Sequence, residues 1–231
     1  MSIIQANLQA VREHIALAAQ QAARMPDAVR LVAVSKTCPA QAIIEAARAG
    51  QLAFGENYEQ EALRKMRQIQ EAAPELHLEW HFIGPVQANK TRGIAAHFDW
   101  VHSVDRERIA RRLAEQRPDD LPPLNICLQV NISGEDSKSG VEEAALFDLA
   151  RVAASFPRLR LRGLMAIPEP QEDPEKQRAA FHRLRSMYER LREAGYDLDT
   201  LSMGMTEDMD AAIAEGATIV RIGTAIFGAR N

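Results

Sequence analysis

The sequence predicts a single α/β domain, a (β/α)8 barrel of the TIM type with an extra helix at its N-terminus. Three observations predict it. Short apolar runs rich in β-branched residues recur along the whole chain. An amphipathic helical segment follows each run except the last. The length, 231 residues, is about that of one such barrel. Repeated strand–helix units imply parallel pairing with right-handed crossovers, and eight of them close most naturally on themselves. An open doubly wound sheet is the alternative, but no GxGxxG pattern follows the first strand.

The elements follow in order. Ile4, Leu8, Val11, Ile15 and Ala18 form one apolar helix face, and Pro26 with Asp27 ends this N-terminal helix, residues 1–25. RLVAVS at 30–35 is the first strand, 39–49 its helix, and Gly50 the stop signal. Strands are expected at 52–54, 78–82, 99–103, 123–130, 158–162, 200–202 and 217–221. The intervening helices are expected at 57–72, 87–97, 105–116, 142–154, 174–194 and 207–214. No Gly-, Pro- or Ser-rich linker divides residues 1–231, so one domain is expected. PEPQEDP at 168–174 reads as a loop over the barrel mouth.

Composition narrows the function. Hydrophobic residues make up 46% and charged residues 26%, with a formal net charge of -4. A mildly acidic chain is poorly suited to nucleic acid, whose binding depends on neutralising phosphates. Arg106, Arg108, Arg111 and Arg112 alternate with Glu107 and Glu115 and read as a solvated helix face. Cys38 and Cys127 have no CxxC spacing, so neither a disulfide framework nor a metal site is expected. There is no leader pattern and no run of about 18 apolar residues, so no membrane span is expected and the expected location is the cytoplasm.

Active sites of such barrels gather where strands end at the C-terminal face. Lys36 directly follows LVAVS, which would place its amine in a mouth with little solvent. A desolvated amine is easily neutralised and then attacks aldehydes, although a lysine at a strand end also snorkels to water. After the seventh and eighth strands come Ser202–Gly204 and RIGTAIFG, with Gly223 and Thr224. Loops at those positions often hold phosphate through backbone N–H groups and hydroxyls. A lysine on strand one neighbours that cradle in a closed barrel. An aldehyde carrying a phosphate ester would span the two, and pyridoxal 5'-phosphate (PLP) is one. A Schiff-base aldolase acting on a sugar phosphate would use the same parts.

The segments AVSKTCP, FGENYEQE, WHFIGPVQANK, HSVDR, QVNISGEDSKSG, RGLMAIP, LSMGMTEDM and VRIGTAIFGAR resemble the pyridoxal phosphate homeostasis protein family. They span about residues 30 to 230. That family resembles the barrel domain of fold-type III PLP enzymes such as alanine racemase. The resemblance implies Lys36 as the Schiff-base lysine, and Ser202, Gly204, Gly223 and Thr224 around the phosphate. It also implies Arg221 beside the pyridine nitrogen, with Asn57 and Met165 near the ring. Many family members carry a lysine where this chain has Cys38, so any auxiliary role of that lysine does not carry over. Cys38 reads as a small apolar filler.

Three further residues are candidates for secondary roles. Tyr58 and His81 lie at strand ends, where acid–base or structural duties are both open. Lys138 lies in NISGEDSKSG, where a mobile, solvated lysine would suit transfer of PLP to an apo PLP-dependent enzyme.

The resemblance also favours a carrier over an enzyme. A guanidinium at the pyridine nitrogen holds that nitrogen unprotonated and weakens the ring as an electron sink. The related enzymes take a second base from a C-terminal domain, for which no residues follow Asn231. The expectation is a monomeric PLP-homeostasis protein, with a weakly active racemase or lyase as the alternative.

Overall fold

The computed structural model describes residues 2–133 and 139–228. Eight strands close into one parallel barrel in sequence order. They are β1 (Arg30–Val34), β2 (Ala53–Glu56), β3 (Glu79–Phe82), β4 (Trp100–Val104), β5 (Leu124–Gln129), β6 (Leu159–Met165), β7 (Thr200–Ser202) and β8 (Ile219–Ile222). The seam joins β8 to β1, with Leu31 opposite Val220 and Ala33 opposite Ile222.

The helices are α1 (Ile3–Gln21), α2 (Ala40–Arg48), α3 (Glu59–Ala72), α4 (Thr91–His97), α5 (Glu107–Gln116), α6 (Glu143–Ala154), α7 (Pro174–Glu193), α8 (Met209–Ala214) and α9 (Thr224–Phe227). Each buries one stripe. In α5 it is Ile109, Ala110, Leu113 and Ala114, while Arg108 and Arg111 stay exposed. Burying each large aliphatic side chain contributes about 1.5–3 kcal/mol. Helix starts follow local chemistry: Asp173 caps α7 by accepting from Glu175 N at 2.9 Å, with Pro174 inside the first turn.

Among the described residues, the helix that follows the eighth strand is the four-residue α9. A turn that short leaves a gap in the helical ring, and α1 fills it, packing on α8, α9 and α2. Its buried stripe is Leu8, Val11, Ile15, Ala18 and Ala19. A reciprocal cap fixes its start, Gln5 N donating to Ser2 Oγ at 3.2 Å and Ser2 N to Gln5 Oε1 at 3.1 Å. Arg24 NH1 ties its far end to Ile213 O at 2.8 Å.

Two strands run two or three residues further than the sequence predicts. β6 continues through Gly163, Leu164 and Met165, all buried. The Leu–Arg alternation that marks its start ends where both faces become covered, so the period-two signal vanishes there. β2 continues through Gly55 and Glu56 because the Glu56 carboxylate is bonded inside, to Ser35 and Lys65.

Strand residues alternate between two environments. Leu31, Ala33, Phe54, Trp80, Phe82, Val101, Ile126, Leu128, Leu164, Leu201 and Val220 belong to one apolar cluster with the helices. Val32, Ala53 and Ile219 form a separate small cluster, as do Trp100, Cys127 and Met165.

Candidate functional site

The strand ends open into a cavity of about 530 Å³. Val34, Lys36, Asn57, Ile83, Arg221, Gly223 and Thr224 line it, and Ile167, Pro168 and Pro170 form one wall. The volume lies within the usual range of small-molecule sites, about 300–1,000 Å³. The acidic, Pro-rich loop therefore does border the mouth.

Lys36 stands on an elbow built by buried charges. Ser35 Oγ donates to Glu56 Oε1 at 2.6 Å, and Lys65 Nζ donates to Ser35 O at 2.9 Å. Lys65, 4% exposed, also pairs with Glu56 at 2.6 Å and with Glu61 at 2.8 Å. Glu61 Oε1 in turn accepts from Thr37 N at 2.6 Å. Thr37 has φ 65°, rare for a β-branched residue, and that bond holds the turn. Burial pushes the Glu56 carboxyl up, with Lys65 pulling the other way.

Asn57 follows β2. The loop after β3 lies directly on its backbone, since a Cβ on Gly84 would come within 2.4 Å of Asn57 O. Among the described residues Asn57 Oδ1 is a buried acceptor with no partner. Such atoms are normally bonded, so this one departs from the rule beside the cavity that Asn57 lines.

Arg221, 4% exposed, reaches the cavity from β8. Its NH1 donates to Ser202 Oγ at 2.7 Å and its NH2 to Ala166 O at 3.0 Å. Burial lowers its pKa to about 10, with Asp208 acting in the opposite sense, so it remains a cation at neutral pH. Two of its five N–H groups are thereby used, and it has no acceptor to offer.

Lys36, Asn57, Arg221, Gly223 and Thr224 thus share one cavity. Ser202 and Gly204 do not line it. The Ser202 side chain is fully buried and faces His102, Nδ1 to Oγ 2.7 Å. Gly204 has φ +100°, and a Cβ there would meet Ala212 Cβ at 2.7 Å, so packing on α8 already demands glycine. Met165 is buried inside the barrel against Trp100 and Cys127. Tyr58 is 59% exposed at the start of α3 and does not line the cavity. Lys138 lies outside the described residues. Cys38 is half-buried on the Lys36 turn, its Sγ 3.8 Å from Lys36 O.

His81 is fully buried inside the barrel. Its Nδ1 lies 2.8 Å from His102 Nε2, and its Nε2 2.8 Å from Glu79 Oε1 at a bent approach. Glu79 also accepts from Arg30 NH2 at 2.7 Å. Sequence reasoning missed Glu79, His102, Lys65 and Arg30. A signal was present: Glu79 and His81, like Trp100 and His102, are two apart and so share a strand face.

Among the described residues no cluster of His, Cys, Asp and Glu could hold a metal, and no helix is long and apolar enough to cross a membrane.

The family pattern "Alanine racemase, N-terminal domain" matches residues 6–231. The pyridoxal phosphate homeostasis protein of Pseudomonas aeruginosa is 59% identical over 231 residues, all of this chain and 97% of that one. The structure of PipY from Synechococcus elongatus with PLP bound superposes with a TM-score of 0.85 at 35% identity, covering 97% of this chain and 100% of PipY. Alanine racemase from Corynebacterium glutamicum shares the fold, with a TM-score of 0.66 at 18% identity over 96% of this chain and 62% of that enzyme. The chain therefore belongs to the pyridoxal phosphate homeostasis protein family, built on the alanine racemase N-terminal domain.

Proposed function

We propose that this protein holds PLP reversibly at the barrel mouth and delivers it to apo PLP-dependent enzymes, without significant catalysis of its own. The observation that carries the reading is the pairing of Lys36 and Arg221 on one cavity of suitable size. The Lys36 amine condenses with the ligand's aldehyde, forming a C=N bond and releasing one water. Gly223 and Thr224 meet the phosphate with backbone N–H groups and a hydroxyl, next to the backbone of the Ser202–Gly204 turn. Asn57 offers its unpartnered oxygen at the ring, and Met165 packs deeper in the barrel. The cofactor's chemistry is carbanion stabilisation, which is strongest when its ring nitrogen is protonated. Arg221 donates and cannot accept, so it leaves that nitrogen unprotonated. This favours holding over turnover. The family name of the relatives and the PLP in PipY support the same reading.

Titration with PLP tests it. The expected result is a saturable visible absorption band that Lys36→Ala abolishes while the fold persists. Pyridoxal, which lacks the phosphate, should bind orders of magnitude more weakly, having lost several charge-assisted hydrogen bonds. Racemase, decarboxylase and transaminase assays should show no turnover. A rate of about 1–1,000 per second on any amino acid would overturn the carrier reading.

A further inference from the structure

Six residues form a continuous polar chain through the inside of the barrel. Arg30 and Glu79 stand at the N-terminal end of the strands, where Arg30 lines a depression of about 380 Å³. His81, His102 and Ser202 follow, and Arg221 completes the chain at the mouth. Contacts of 2.7–2.8 Å link each member to the next. Both imidazoles and the Ser202 hydroxyl are fully buried. Barrel interiors are ordinarily filled by layers of branched apolar side chains, so this interior departs from the rule.

We propose that Glu79, His81, His102 and Ser202 are positioning residues acting through Arg221. They form a polar chain of one fixed direction, hydrogen-bonded from His81 to Arg221 and closed at Glu79 by a charge contact, that holds the guanidinium where it meets the ligand's ring nitrogen. The chain itself is independent of any ligand, while its bearing on the ring nitrogen rests on the PLP reading above.

The direction follows from the charge on Glu79 together with donor and acceptor bookkeeping along the rest of the chain. The Glu79 carboxylate has burial working against its charge, but the close contact of His81 and the hydrogen bond from Arg30 hold its pKa down to about 2. It is ionised and can only accept. Its Oε1 stands 2.8 Å from His81 Nε2 at an angle too bent for a hydrogen bond, but a bare lone pair on Nε2 would repel the carboxylate, so the ring proton belongs on His81 Nε2. A neutral His81 then accepts at Nδ1, and His102 Nε2 must be the donor in that 2.8 Å contact. A neutral His102 accepts at Nδ1 from the Ser202 hydroxyl at 2.7 Å. Ser202 Oγ is left to accept from Arg221 NH1.

Both rings are neutral for physical reasons. Burial lowers the pKa of each, and His102 feels the cations Arg221 and Arg30 as well. The anions facing His81 are Glu79 and Asp99, and Asp99 is already bonded to Trp80 N at 2.8 Å. Trp100 stacks on His81 at 5.4 Å and 12°, fixing its plane. In this arrangement the Ser202 hydroxyl proton is committed inward and is not offered to a phosphate.

Two measurements on the full chain test the proposal. The first is nitrogen-15 NMR of the histidine rings at pH 7 without ligand, assigned with His81→Gln and His102→Gln variants. Both rings should be the Nε2–H tautomer. An Nδ1–H tautomer or a charged ring at either position overturns the chain, whether or not PLP binds. The second compares Ser202→Ala and Ser202→Thr for binding of PLP and of pyridoxal. If Ser202 acts through Arg221, the alanine variant weakens both ligands by the same factor, about threefold to tenfold, and threonine restores both. A loss confined to PLP would place Ser202 on the phosphate and overturn its assigned role. If the alanine variant fails to fold, the tautomer measurement still decides.

Discussion

The outer and inner faces of the barrel wall come from the same eight strands and carry opposite chemistry. Outside, Phe54, Phe82, Val101, Leu128, Leu164 and Val220 join the helices in one apolar cluster. Inside, the alternate positions on β3, β4, β7 and β8 include Glu79, His81, His102, Ser202 and Arg221, beside the apolar Trp100 and Ile219. The outer face gains stability from area removed from water. The inner face buries charge and hydrogen-bonding groups, which at best break even against apolar packing. A costly interior beneath a mouth cavity is the arrangement expected where a site must be held rigid rather than where a fold needs support.

The largest expected effect separates the faces by stability. Phe54 is fully buried in the outer cluster. Phe54→Ala should cost about 3–5 kcal/mol in urea unfolding. The residual folded protein should still take up PLP one to one. A loss below about 1 kcal/mol would mean that the outer face does not hold the barrel together.

A smaller effect belongs to the inner face and to pH. His81 and His102 have folded pKa values below the ordinary 6.5, chiefly through burial. Above pH 6.5 they are neutral in both states. Below it the unfolded chain binds protons that the folded chain refuses, so stability falls as pH drops from 6.5 towards the folded values. The limiting slope is about 1.4 kcal/mol per pH unit for each histidine. Glu79, held at about 2, loses its contribution only between about pH 4.5 and 2, which keeps the two windows apart. Urea midpoints for wild type and a His81→Gln, His102→Gln double variant check this. Identical slopes between pH 6.5 and 5 would contradict the neutral, buried imidazoles.

The smallest effect lies beyond both faces. Arg111 and Glu107 form an exposed ion pair on α5. Arg111→Ala should lower stability only slightly, since the guanidinium also lies 5.5 Å from the Phe156 ring centre, and should leave PLP binding unchanged; any loss of PLP binding would contradict a role confined to the surface.

This contrast also explains what the sequence made legible. The outer face was readable because its pattern is periodic: RLVAVS, NICLQV and the α5 stripe announce a barrel without reference to tertiary contacts. The placement of Lys36, Gly223 and Thr224 at the mouth was readable because active sites of such barrels gather at strand ends. The inner polar chain was not, because a histidine in LEWHF or WVHSV looks alike whether it faces a loop, a helix or another histidine. Its partners come from strands far apart in sequence, His102 and Ser202 being 100 residues apart. Glu56 and Lys65 were hidden for the same reason: only folding shows that they brace the Lys36 turn.

The most direct test of the account is chemical. The protein is loaded with PLP, reduced with borohydride, digested and mapped by mass spectrometry. The prediction is one phosphopyridoxyl group per chain, on the peptide carrying Lys36, with no such label in Lys36→Ala. Labelling of other lysines to the same extent in wild type and Lys36→Ala would contradict it.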